Sequence, residues 1–186
     1  MNKKELRIID KIENLEKKGA KLSNTQKILL ATDGSVTTIL DVLVGEIKIK
    51  TLKQEFQEAD SDIAKLLSID EGEIVNYRVV VMFNDNSPLI YATSYIPIKR
   101  LTSEFKKDLI SADIPIGRIL RKYNIESRRE IQTVKIEKNP KDELKNIFKT
   151  NANFLSRDYH IIHNDEILIW IEEKFPIDSF LKNYKN

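Results

Sequence analysis

Arg78 stands in the run 74–83 (IVNYRVVVMF), where period-two alternation puts Ile74, Asn76, Arg78, Val80 and Met82 on one face. A guanidinium does not readily give up its proton. One half-buried among apolar residues must find an anion, either from the protein as a salt bridge or from a ligand. The second charge of interest is acidic. In the segment 166–175, Leu168, Trp170 and Glu172 share one face, and Ile167, Ile169, Ile171 and Glu173 share the other. Either Glu172 or Glu173 therefore sits among hydrophobic residues. A desolvated carboxyl is a candidate general acid or base, and it is equally a candidate structural partner for Arg78. A third feature is the stretch Thr32-Asp33-Gly34-Ser35-Val36-Thr37. A glycine just before a helix start leaves backbone N–H groups free to hold an anion, although such turns also cap helices that bind nothing.

The elements that must position these groups follow from spacing. Leu6, Ile8, Ile9, Ile12 and Leu15 predict a helix over Lys3–Lys18 that Gly19 stops. Ser23 caps a second helix over Asn24–Ala31, and a third runs from about Ser35 to Val44. Alternation predicts a strand over Glu46–Phe56, and Asp60–Ser68 is a short helix. The run 74–83 and its successor 88–97 (PLIYATSYIP) flank Asn84-Asp85-Asn86-Ser87, which predicts an antiparallel hairpin. Helices around Ser103–Leu109 and from Pro115-Ile116-Gly117 through Tyr123 come next, then a strand over Glu126–Lys138 and a helix over Lys141–Lys149. A second hairpin, Phe154–Ile162 with Glu166–Phe175, closes the chain. The fold class expected is α+β: a single antiparallel sheet of about six strands with helices on one side, residues 1–186 forming one domain whose N-terminal helical segment is 1–22.

Composition narrows the function. The 186 residues are 41% hydrophobic and 32% charged, with a formal net charge of +2, so no nucleic-acid partner is expected. The absence of cysteine removes disulfides, thiolate zinc sites and cysteine nucleophiles. His160 and His163, three apart in a strand-to-turn region, lack an acidic ligand cluster, so no metal is expected. There is neither a dinucleotide glycine fingerprint nor a phosphate loop. No apolar stretch approaches the ~20 residues of a membrane span, and no signal-peptide segment opens the chain; a cytoplasmic protein is expected.

The order of TDGSVT (32–37), an arginine in a strand (NYRVVV, 76–81), Pro88, Pro97, IPIGRIL (114–120) and IEEKFP (171–176) resembles the chorismate pyruvate-lyase family, and most nearly its archaeal branch. The resemblance spans roughly Leu22 to Phe180. It implies a six-stranded antiparallel sheet enclosing a buried site in which chorismate is cleaved to 4-hydroxybenzoate and pyruvate without metal or cofactor. Carried over by position, Arg78 binds the substrate's anionic groups. Glu172, four residues before Pro176, is the catalytic glutamate. Backbone groups of Val36 and Ile116 meet the ring carboxylate. Thr93 stands where some bacterial members carry a second arginine. The partners implied are the substrate and product alone, with the chain a monomer or homodimer.

The stretch from Arg78 onward is also similar to the UTRA effector-binding domain of bacterial repressors, which shares the lyase fold and binds without catalysis. A regulator of that kind carries a winged helix-turn-helix ahead of its sensor. Here TDGSVT arrives at Thr32 with no recognition helix before it, so the lyase is expected ahead of the sensor.

Overall fold

Six strands form one antiparallel sheet: β1 (Lys48–Glu58), β2 (Ile74–Asn84), β3 (Ser87–Pro97), β4 (Arg128–Glu137), β5 (Phe154–His163) and β6 (Glu166–Pro176), in the order β1-β2-β3-β6-β5-β4. The computed structural model describes residues 7–111 and 113–181. Both expected hairpins are present, β2–β3 and β5–β6, and the β3–β6 pairing joins them at the centre. Their turns take positive φ at Asp85 (50°) and at Asn164 and Asp165 (49° and 61°), a backbone form whose twist suits tight hairpins and which Asn and Asp tolerate well.

Seven α-helices are α1 (Ile8–Lys17), α2 (Asn24–Ala31), α3 (Val36–Val44), α4 (Ser61–Leu67), α5 (Ser103–Ser111), α6 (Ile116–Lys122) and α7 (Asp142–Phe148) among the described residues. The expected start of the first helix at Lys3, and Leu6 with it, lie outside the described residues. Ser23 and Gln26 form a reciprocal capping box at α2: Ser23 Oγ accepts from Gln26 N at 3.1 Å, and Gln26 Oε1 accepts from Ser23 N at 2.9 Å. Gln26 is fully buried, and its Nε2 donates to the Ile177 and Ser179 carbonyls at 2.8 Å each. That anchors α2 to the chain leaving β6. No helix among the described residues is long and apolar enough to cross a membrane.

The helices α1, α2 and α3 pack on one face of the sheet against Ile49, Val80, Met82, Ile90, Ala92, Leu155 and Phe175. The same face continues under α5 and α6, against Ile96, Tyr159, Ile161, Ile169 and Ile171. Beyond the one-sided arrangement that the pattern suggests, α4 and α7 cover part of the reverse face, over Val75 and Tyr95 and over Val79, Val81 and Tyr91 respectively. Cover on both sides follows from β2 itself, a nearly continuous apolar run in which neither face is polar enough to meet water.

A β-bulge at Leu168 resets the alternation of β6. Ile161 pairs with Ile169 and Ile162 with Ile167, leaving Leu168 as the extra residue. Leu168 therefore joins Ile169 and Ile171 beneath the helices, while Ile167 turns to the reverse face with Trp170. Strict period two places Leu168 with Trp170 and Ile167 with Ile169; the bulge is why the structure differs.

Candidate functional site

Arg78, Ser94, Ile171 and Tyr159 stand side by side on β2, β3, β6 and β5, because each is the cross-strand partner of the next. They floor a cavity between the sheet and the first turns of α3 and α6. Val36 and Ile116 line it as the first residues of those helices, and Ser35, Gly117 and Arg129 complete that wall. Two features let the helix starts approach each other. Arg118 of α6 bonds both carboxylate oxygens of Asp41 of α3, at 3.1 and 3.2 Å. Gly117 offers no Cβ, which would otherwise meet Ser35 Oγ at 3.1 Å. Ser35 Oγ is already committed as the α3 cap, accepting from Thr38 N at 3.3 Å.

Arg78 is only 2% exposed. Among the described residues no carboxylate forms an ion pair with it. Both Nη atoms donate to the Ile114 carbonyl at 3.3 Å, Nη2 also donates to Thr51 Oγ1 at 3.3 Å, and Nε is buried with no partner. Burial pulls its pKa down to about 10, with the nearby Asp113 acting in the opposite sense. Of the two sources of an anion that the sequence leaves open, an internal salt bridge is therefore not the one in place.

Glu172 does not share this cavity. Its cross-strand partners are Thr93 and Asp158, and it lies on the reverse face in a groove with Tyr91, Tyr95 and Lys174. Lys135 and Lys174 hold it at 3.1 and 3.2 Å, and Ser156 donates to it at 3.1 Å. Burial pushes its pKa up, but the two ammonium groups outweigh burial and leave it below the ordinary carboxylate value. The expected convergence of Arg78 with Glu172 is thus corrected: the carboxylate that faces the cavity with Arg78 is Glu173. Neighbouring residues of a strand point to opposite faces, so an offset of one residue exchanges the cavity for the back of the sheet.

Glu173 is 4% exposed and fixed through both oxygens. Arg157 Nε donates to one at 2.8 Å, and the Tyr159 hydroxyl donates to the other at 3.1 Å. Arg157 in turn stacks over the Tyr159 ring, 4.9 Å from its centroid, and donates through Nη1 to the Thr32 carbonyl at 2.8 Å. One guanidinium therefore orients the carboxylate and fastens the TDGS turn to the sheet. Burial acts to lower the Arg157 pKa, but Glu173 and Tyr159 together outweigh it and the net shift is upward; burial, then Glu173, pushes the Tyr159 hydroxyl up. Periodicity could have found Arg157, since it follows Leu155 and precedes Tyr159 and Ile161 on the inward face of β5, the same signal that singled out Arg78.

His163 Nδ1 lies 2.7 Å from the Glu126 carbonyl. Among the described residues no three His, Asp or Glu side chains are grouped to hold a metal ion.

Comparison with known proteins adds ancestry to this geometry. The family model described as "Chorismate pyruvate-lyase Rv2949c-like" matches residues 30–185. A Methanocaldococcus jannaschii protein named "Putative lyase MJ0807" is 41% identical over 95% of this chain and 94% of its own length. The chorismate pyruvate-lyase of Mycobacterium tuberculosis is 23% identical over 83% of this chain and 81% of its own. Among solved structures, the effector domain of PhnF from Mycobacterium smegmatis superposes with a TM-score of 0.68 at 15% identity, covering 80% of this chain and 91% of that one. A GntR-family transcriptional regulator from Bacillus cereus gives 0.58 at 17% identity, over 75% and 98%. These two share the fold. With a family model spanning most of its length and a 41% identical relative over nearly all of it, the chain belongs to the Rv2949c-like chorismate pyruvate-lyase family.

Proposed function

We propose that the protein is a chorismate pyruvate-lyase that works without a cofactor, with Arg78 and Glu173 as its catalytic pair. The observation that carries this reading is a fully buried Arg78 with no carboxylate partner among the described residues, opening on the same cavity as a fixed carboxylate. The Ile114 carbonyl accepts from both Nη atoms of Arg78, where a ligand carboxylate would accept a bidentate pair. The cavity volume is ≈ 40 Å³, far below the ~300 Å³ at which ligand pockets begin. Substrate entry therefore requires the segment 113–115 and the start of α6 to move away from Arg78.

The chemistry asks little of the protein. A proton leaves C4 of the ring, the C3–oxygen ether bond breaks, and enolpyruvate departs and is protonated to pyruvate while the ring becomes aromatic. Aromatisation supplies the drive, so the site's task is to orient the ether, stabilise charge on the departing group and move a proton. Arg78 takes the developing negative charge. Glu173, lining the same cavity, faces the C4 side and moves the proton. Val36 and Ile116 position the ring carboxylate through the backbone of the first turn of α3 and α6.

Mixing the purified protein with chorismate and following pyruvate release and ultraviolet absorbance tests this. Stoichiometric pyruvate and 4-hydroxybenzoate are expected. The likeness in fold to regulator effector domains favours a second reading, small-molecule binding without turnover. Tight chorismate binding with no pyruvate released would select it.

A further inference from the structure

We infer that Arg129 forms a second-anion subsite in the cavity, so that the site selects ligands carrying two anionic groups over those carrying one. The inference deepens the lyase reading above and rests on it for the identity of the natural ligand, though not for the charge preference itself.

Arg129 reaches the cavity from β4, on the far side of the sheet from Arg78 on β2. Its Nη1 donates to the Asp33 carbonyl at 3.3 Å, and its Nε is buried with no partner. Among the described residues no carboxylate forms an ion pair with it. Its Nη2 lies 3.8 Å from where a Cβ on Gly117 would project, so the guanidinium sits against the glycine that keeps the wall open. Arg129 and Arg78 are thus alike: each lines the cavity, each carries a buried, unpartnered Nε, and each has only neutral oxygen acceptors. A buried donor left without a partner is costly, and two such guanidiniums lining one cavity favour acceptors supplied from outside.

Charge points the same way. Two guanidiniums, Arg78 and Arg129, line the cavity with one carboxylate, Glu173, whose charge is already engaged by Arg157. Asp113 is the further acidic group near Arg78; its side chain is committed to Thr51 N at 3.1 Å. With Glu173 paired to Arg157, Arg78 and Arg129 are the two lining cations that have no ion-paired carboxylate among the described residues. A dianion whose two charges sit at separate positions of a compact ring neutralises both, and a monoanion leaves one of them uncompensated. Thr93, which stands where some bacterial members of the family carry a second arginine, is on the reverse face with Glu172. Arg129 supplies the charge from a different strand.

The test is calorimetric titration of the full chain with benzene-1,3-dicarboxylate, benzoate, 4-hydroxybenzoate and chorismate, comparing wild type with Arg129→Met and Arg129→Lys. Wild type should bind the dicarboxylate more tightly than benzoate. Arg129→Met should weaken dicarboxylate and chorismate binding by about 10- to 100-fold, the range of a charge-assisted hydrogen bond. It should leave 4-hydroxybenzoate within about twofold, a change too small for a lost ion contact. Arg129→Lys should restore part of the loss, and the salt dependence of dicarboxylate binding should flatten in Arg129→Met alone. Equal losses for monoanion and dianion in Arg129→Met would make the residue a packing element and overturn the subsite. So would a wild type indifferent to the second carboxylate. A wild type that prefers the dicarboxylate through Arg129 yet releases no pyruvate from chorismate keeps the subsite and removes the lyase reading.

Discussion

Arg157 holds Glu173 through a 2.8 Å bond from Nε, with the two side chains 1% and 5% exposed. Arg78 is as deeply buried on the same face of the sheet and, among the described residues, has neutral acceptors only. A buried ion pair is stable as a pair and costly to halve. Glu173→Gln should therefore lower stability by ~3–5 kcal/mol in urea denaturation, because Arg157 loses its counter-charge. Turnover per folded molecule, measured as pyruvate release, should fall by ~10²-fold or more. Full turnover by the folded fraction would take Glu173 out of the mechanism.

Arg78→Met should separate function from stability in the opposite sense. The substitution removes a desolvated charge and leaves the Ile114 carbonyl as the main unpaired group, so folding stability should be unchanged or rise by up to ~2 kcal/mol. Ligand binding should be lost. The pH dependence follows from the depressed pKa of about 10. Below pH 10 the guanidinium is charged in the folded protein, anion affinity is full, and the desolvation cost to stability is also full. Above pH 10, affinity should fall while that cost is relieved. Titrations of a carboxylate ligand between pH 8 and pH 11, with a thermal melt at each pH, would reveal it; a melt lowered by Arg78→Met would make the residue structural.

Glu172→Gln should leave chorismate turnover intact, since Glu172 serves the reverse face. Its effect belongs to acid stability. A carboxylate whose folded pKa lies below its ordinary value of 4.5 stabilises the fold above that value, and the contribution is lost as pH falls through the folded pKa. The variant should be less stable than wild type at neutral pH and should show a shallower loss on acidification below about pH 4.5. Melting curves across that range measure it.

Gly117→Ala narrows the wall without entering the chemistry. The new methyl meets Ser35 Oγ at 3.1 Å and displaces it by a few tenths of an ångström. Weakening the cap costs up to about 1 kcal/mol, and alanine in place of glycine within α6 returns about as much. Thermal stability should hardly change. Ligand affinity should drop by about 10-fold, or roughly 1.4 kcal/mol, because the two helix starts can no longer close together. Unchanged affinity would show that the approach of α6 to α3 does not shape the site.

The sequence by itself determined the elements and most of their order. Period-two runs gave both hairpins, Ser23, Ser35 and Asp60 marked helix starts where the structure has them, and an arginine among inward-facing aliphatics marked the one residue on which the site turns. These signals are local, a matter of neighbours within one strand or one helical turn. Tertiary structure decided which of two adjacent glutamates shares a face with Arg78. That choice is made by the registers Arg78–Ser94 and Ser94–Ile171, which no single strand contains. It also decided that Arg157 would be spent on Glu173 and that Arg129, on the far edge strand, would reach the cavity at all. Both depend on how strands distant in the chain are laid side by side, and alternation along one strand carries no record of its neighbours.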